Sequence, residues 1–191
     1  MKIMVLSDDA VPSGYGRISM EVWRRLVKRG IELSVGSIMY DGLLPPQYEG
    51  ERLPYWVGSL AGHGDWPAKL AAMVNATQPD VVMVIQDATY AEAVYHSGID
   101  WSDKAFVICT PVDGKPVYSK WVDLFKRADG MMTISEFGVQ AHAEQGIQSK
   151  LLRPGVDSVK LYPLDTETRR TLRAKFGIDD DTFVLATMAM N

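Results

Sequence analysis

Short apolar runs alternate with stretches of helical periodicity almost from end to end of the chain, which is the signature of successive βα units and a mainly parallel sheet. The runs that read as strands are Lys2–Ser7, Ile31–Ile38, Leu53–Val57, Val81–Ile85, Ala105–Cys109, Gly130–Ile134 and Lys150–Leu152. Several are apolar at nearly every position, as strands covered on both faces should be. Between them the period lengthens to that of a helix. Ile18, Val22, Leu26 and Val27 form one face of a first helix, with Arg17, Glu21, Arg24, Arg25 and Lys28 on the other and Gly30 placed to stop it. Pro116 opens a helix whose inward face is Val117, Trp121, Leu124, Phe125 and Ala128. Ser135 caps another that runs to Gly146. Asp65 before Trp66-Pro67 starts a helix with Leu70, Met73 and Val74 inward, ending before Pro79, and a short helix Thr89–Ser97 closes at Gly98. The pattern predicts an α/β fold, a parallel sheet with helices on both faces.

The pattern changes near Pro154-Gly155. Beyond it lie an irregular stretch, a charged helix Thr166–Phe176, then Gly177 and three aspartates, and an apolar run Thr182–Met188 that reads as a strand. Residues 1–157 therefore read as one domain, and residues 158–191 as a linker helix and the first strand of a second, truncated one. A strand in that position presents an open edge, so self-association through this segment is expected.

Composition narrows the class. With 47% hydrophobic and 23% charged residues over 191 positions, the chain buries a sizeable core, which excludes disordered and collagen-like proteins. Its 20 basic against 24 acidic residues leave a formal charge of −4, so no basic excess recruits nucleic acid or an anionic membrane. A single cysteine, Cys109, fits a reducing cytoplasm, and no run reaches the roughly 18 apolar residues of a transmembrane helix. The expectation is a soluble cytoplasmic protein.

Candidate chemistry falls at strand ends, where open α/β sheets bind ligands. The segment Asp8-Asp9-Ala10-Val11-Pro12-Ser13-Gly14-Tyr15-Gly16-Arg17 joins the first strand to the first helix. Its glycines allow close backbone approach, and the helix start offers free N–H groups to a phosphate or sugar; the alternative is a glycine turn that only reverses the chain. Gly14-x-Gly16-x-x-Ser19 half-matches the dinucleotide fingerprint but lies too far from the strand and lacks its acidic partner. Asp87 and Asp113 follow the strands Val81–Ile85 and Ala105–Cys109 and could accept hydrogen bonds from sugar hydroxyls or act as bases, although Asp113-Gly114 also reads as a turn and helix cap. His63, His96 and His142 show no metal-ligand spacing with one another or with Cys109, which reads as a buried small hydrophobe. No serine-hydrolase elbow is present.

Four stretches in register resemble the N-terminal domain of GT-B glycosyltransferases, and most closely the retaining enzymes of glycosyltransferase family 4. They are Ser13-Gly14-Tyr15-Gly16-Arg17, Pro111-Val112-Asp113-Gly114, Ala128-Asp129-Gly130 leading into Thr133-Ile134-Ser135-Glu136-Phe137-Gly138, and Arg153-Pro154-Gly155-Val156-Asp157 followed by Leu161-Tyr162-Pro163. The resemblance implies a Rossmann-like, acceptor-side half of a metal-independent enzyme that takes a nucleotide-sugar as donor substrate, needs no cofactor and transfers the sugar to an acceptor. It implies that Gly14, Tyr15, Gly16 and Arg17 lie against the donor's diphosphate and sugar, that Asp87 and Asp113 sit near the reacting sugar, and that Asp8, Ser135 and Glu136 are on the acceptor side. Many members place a histidine where this chain has Thr110 to Asp113. The family's Glu-x7-Glu motif belongs to its second domain; Glu136 and Glu144 share that spacing but read as solvated helix positions. The chain by itself is expected to be inactive. The alternatives are a non-catalytic carbohydrate- or acceptor-binding module and a fragment of a GT-B-type sugar-nucleotide epimerase.

Overall fold

In a computed structural model, which describes residues 1–8, 13–38 and 66–187 (Trp66 and Pro67 by backbone only), six parallel strands lie in the order β2-β1-β3-β4-β5-β6. They are β1 Lys2–Ser7, β2 Glu32–Ser37, β3 Val81–Ile85, β4 Ala105–Cys109, β5 Gly130–Thr133 and β6 Lys150–Leu151. The helices are α1 Gly14–Lys28, α2 Trp66–Thr77, α3 Ala88–Tyr95, α4 Ser119–Arg127, α5 Glu136–Ala143 and α6 Thr166–Lys175. The expected strand Leu53–Val57 and the helix-starting Asp65 lie outside the described residues, as does His63. The architecture is the Rossmann-like parallel α/β fold that the alternation of patterns predicts.

Side chains alternate across the strands and build two cores. Met4, Leu6, Val82, Val84, Phe106, Ile108 and Met131 face α2, α3, α4 and α5, meeting Leu70, Met73, Ala91, Val94, Leu124, Phe125 and Ala141. Ile3, Val5, Leu33, Val35, Ile85 and Cys109 form the other core with Trp23 of α1. Two close approaches set the spacing on the first of these faces. A Cβ on Gly36 would lie 2.5 Å from Leu6 Cδ2, and one on Gly138 would lie 2.4 Å from Thr133 Oγ1, so α5 rests on β5 at less than a methyl group's distance.

Three expectations are corrected. The face of α1 that is buried carries Gly16, Ser19 and Trp23, while Ile18, Val22 and Leu26 flank it half-buried and Val27 is exposed. The large indole fills the space over β1 and β2 and turns the helix toward itself. Pro116 does not open a helix: the Lys115–Pro116 peptide is cis, Tyr118 is extended (ψ 123°), and α4 starts at Ser119. Gln145 Nε2 donates to the Val117 carbonyl at 3.0 Å, occupying an acceptor that a longer helix would have used. Val117, Leu124 and Phe125 are nevertheless buried, with Trp121 and Ala128 partly so.

The third correction concerns the last apolar run. Packing divides the chain into Met1–Pro154 and Gly155–Asn191. The second unit holds α6, capped by Asp165, whose carboxylate accepts from Thr168 N at 2.8 Å, and followed by Gly177 at φ +65°. Residues 182–187 are not a strand. Among the described residues no neighbouring strand supplies a ladder, and backbone N–H and C=O groups form a strand only against a partner. The Thr182 carbonyl instead accepts from Arg173.

Candidate functional site

The connections from β1 run in two directions. β1 leads through α1, on one face, to β2; β2 leads to β3 by way of α2, on the other face. The crevice at the carboxyl ends of β1 and β3 is therefore the topological switch point, where open α/β sheets hold ligands. Its opening has a local cause. The β1–β3 ladder stops at Leu6 and Val84, whereas β1 stays paired with β2 as far as Ser7 and Ser37, and β3 stays paired with β4 as far as Ile85 and Cys109. At the first unpaired step the Ser7 hydroxyl donates to the Ile85 carbonyl at 2.8 Å, so a side chain closes the seam where the ladder ends.

Four segments converge above this seam: Asp8 after β1, the start of α1, Gln86-Asp87 after β3, and the loop after β4 that carries Asp113. Ser13 caps α1, its Oγ accepting from Gly16 N at 2.9 Å, which turns the helix start toward the seam. The Tyr15 hydroxyl donates to Asp87 Oδ1. Asp87 is the N-cap residue of α3, yet its carboxylate makes no capping bond to that helix. A cap aspartate ordinarily accepts from an N–H of the first turn; here the carboxylate is turned across the seam instead. Buried Gln86 fixes the backbone beneath it, Oε1 accepting from Asp87 N at 2.9 Å.

Charge accumulates around the Tyr15 hydroxyl. Burial, the bond to Asp87 and the charges of Asp87, Asp113 and Asp8 push its pKa far above the usual phenol value, so it remains a donor at every physiological pH. Burial also raises the Asp8 carboxyl, opposed by hydrogen bonds with Gln86 and Ser13 and reinforced by Asp87. Asp8 Oδ1 is buried without a hydrogen-bond partner among the described residues. Asp8, Asp87 and Asp113 form no salt bridge among the described residues. The arrangement presents carboxylate acceptors, held by a phenol donor, beside the N-terminal turns of two helices.

Of the residues singled out in the sequence, Asp8, Tyr15 and Asp87 come together here, and the exposed Asp113 acts on Tyr15 through its charge. Gly14 is exposed, with open space where a Cβ would stand, whereas Gly16 is buried in the inner face of α1 and Arg17 lies exposed on its first turn. Ser135 and Glu136 are spent elsewhere: Ser135 Oγ caps α5 through Gly138 N at 3.0 Å, and Glu136 pairs with Arg153. Glu144 pairs with Lys115 at 2.6 Å, so both members of the Glu-x7-Glu spacing form surface ion pairs. Sequence reasoning missed Ser7 and Gln86, whose signal was a polar residue closing an otherwise apolar strand.

Other candidate chemistry is absent from the seam. Burial pushes the Cys109 thiol up to about 12, which leaves it protonated. No cluster of three potential metal ligands exists among the described residues, and none of their helices is long and apolar enough to cross a membrane.

No protein-family model matches the chain, and no curated protein matches it. Solved structures do. A glycosyltransferase from Rickettsia africae aligns over 94% of this chain and 50% of its own length, with a TM-score of 0.64 and 17% identity. An alpha-glucosyltransferase solved with UDP and a 13-mer DNA containing an HMU base aligns over 84% of this chain and 44% of its own, with a TM-score of 0.52 and 18% identity. The chain thus spans about half the length of these glycosyltransferases, and what it shares with them at such identity is the fold.

Proposed function

We propose that this chain carries the acceptor-side half of a retaining, metal-independent glycosyltransferase of the family 4 type, with a nucleotide-sugar as donor. One observation carries the reading: the Tyr15–Asp87 bond, which turns a helix-capping carboxylate across the seam at the carboxyl ends of β1 and β3. The half-length likeness to two glycosyltransferases supports it. In this reading residues 1–157 bind acceptor, and residues 158–191 are a linker helix and the start of a donor-side domain. The protein works in the cytoplasm, where its lone buried thiol needs no partner.

The chemistry asks for stabilisation of a departing diphosphate and of an oxocarbenium-like sugar, work for aimed dipoles and hydrogen bonds. The first turn of α1, from Gly14 to Arg17, offers backbone N–H groups to the anionic side of that charge separation. Asp87 and Asp113 accept hydrogen bonds from hydroxyls and favour the positive side. Tyr15 keeps Asp87 aimed across the crevice and away from α3. In this reading the residues described supply the acceptor wall of the cleft, and acceptor binding is the property expected of them.

Calorimetry and thermal shift with a panel of sugar acceptors, nucleotide-sugars and nucleoside diphosphates test this. Saturable stabilisation by an acceptor, lost in Asp87→Asn, is expected. Stabilisation by nucleoside diphosphates alone, or sugar transfer by the isolated chain, overturns the acceptor-side assignment.

A further inference from the structure

The segment that leads from β4 to α4 is strapped to the C-terminal end of α5. Lys115 fastens it, with Nζ 2.6 Å from Glu144 and 5.6 Å from the centre of the Phe137 ring. Gln145 fastens it again through the Val117 carbonyl. Between strap and helix end lies a groove of about 610 Å³, lined by Pro116, Val117, Tyr118, Ser119, Glu144 and Gln145. Small-molecule sites occupy roughly 300–1,000 Å³.

The lining has a specific chemistry. Tyr118 is 59% exposed, and Trp121 braces it edge to face at 5.2 Å between ring centres. Beside it stand a serine hydroxyl, the carboxamide of Gln145, whose amide is engaged while its oxygen is an acceptor, and the carboxylate of Glu144, whose charge Lys115 already balances. The charges in the groove cancel, so it offers no net attraction to an ion. An apolar ligand would desolvate the hydroxyl, amide and carboxylate without replacing their hydrogen bonds, at a cost. A pyranose answers both demands: its C–H face lies against an aromatic ring, and its rim of hydroxyls donates and accepts.

We propose that this groove binds a neutral oligosaccharide, with Tyr118 as the stacking platform and Glu144, Gln145 and Ser119 as hydroxyl partners. The groove shares no lining residue with the Tyr15–Asp87 seam, and the proposal does not depend on the function proposed for that seam. The test is titration of the full chain with maltotriose and with cellotriose, followed by NMR at the Trp121 indole and the Gln145 side-chain amide. Expected are saturable shifts at millimolar sugar, weakened about 10-fold or more by Tyr118→Ala and by Gln145→Ala, kept by Tyr118→Phe, and unchanged by Asp87→Asn. Two amide spectra, of Tyr118→Ala and Gln145→Ala without sugar, check that each variant keeps its fold. The absence of saturable shifts with both sugars, shifts that persist unchanged in a folded Tyr118→Ala or Gln145→Ala, or shifts abolished by Asp87→Asn each overturn the assignment.

Discussion

The two faces of the sheet are built from the same kind of apolar run but are buried to different degrees. Toward α2, α3, α4 and α5, Val82, Val84, Phe106, Ile108 and Met131 are all buried. Toward α1, burial is complete at Ile3, Val5, Leu33 and Val35 but only partial at Val81, Met83, Val107 and Met132. One helix with one tryptophan covers the β1–β2 side of the face it packs on, while four helices cover the opposite face from β1 to β5 and leave Leu151 of the edge strand β6 exposed. An apolar run in the sequence thus announces a strand, but how deeply each of its two sides is buried depends on which helices return over it.

Substitutions sharpen the contrast. The largest effect is expected for Phe106→Ala, at about 3–5 kcal/mol in urea unfolding, against about 1–2 kcal/mol for Met83→Ala one strand away on the other face. Equal costs would break the distinction. Gly138→Ala forces its new methyl onto Thr133 and is expected to cost about 1–3 kcal/mol, partly relieved in combination with Thr133→Ala. A double-mutant cycle reads that relief.

The more deeply covered face also holds a titratable group. His142 on α5 is buried, edge-on to Phe125 at 5.5 Å, with neither ring nitrogen hydrogen-bonded among the described residues. Burial lowers its pKa below the ordinary 6.5. The unfolded chain therefore binds the proton first as pH falls, so stability is fully present above about pH 6.5 and declines below it, by at most about 1.4 kcal/mol per pH unit from this residue. His142→Leu should flatten that part of the stability curve. The smallest effect belongs to the seam. The Asp8 carboxyl is raised by burial, so its charge weighs against the fold at neutral pH. Asp8→Asn should give a modest rise in Tm at pH 7 that disappears below about pH 3.8, where the carboxyl is protonated in folded and unfolded chains alike.

Much of this was legible in the sequence where one signal decides the outcome. Lys2–Ser7, Val81–Ile85 and Ala105–Cys109 are strands at the stated bounds because apolar runs of that length have few other uses. Ser135 caps its helix as its hydroxyl suggests. What failed depended on partners far along the chain. The inward face of α1 follows Trp23 because of the space over two strands. The delayed start of α4 follows a glutamine 28 residues away. Phe183 to Leu185 carry a strand's side chains but have no strand beside them among the described residues. In the candidate site, Asp87 and Tyr15 were each visible as strand-end and loop residues, but their bond was not, since it spans 72 positions.

That span has a consequence for the making of the protein. Both bonds across the seam join distant residues, 78 positions apart for Ser7 and Ile85 and 72 for Tyr15 and Asp87. A nascent chain at 5–20 residues per second needs about 4 to 16 s to pass from the first member of such a pair to the second. During that interval β1 and β2 can ladder and α1 can close over them, while the carboxyl end of β1 waits with its serine and its tyrosine unmatched. The crevice is absent from any shorter translation product and comes into being when the third strand emerges and docks.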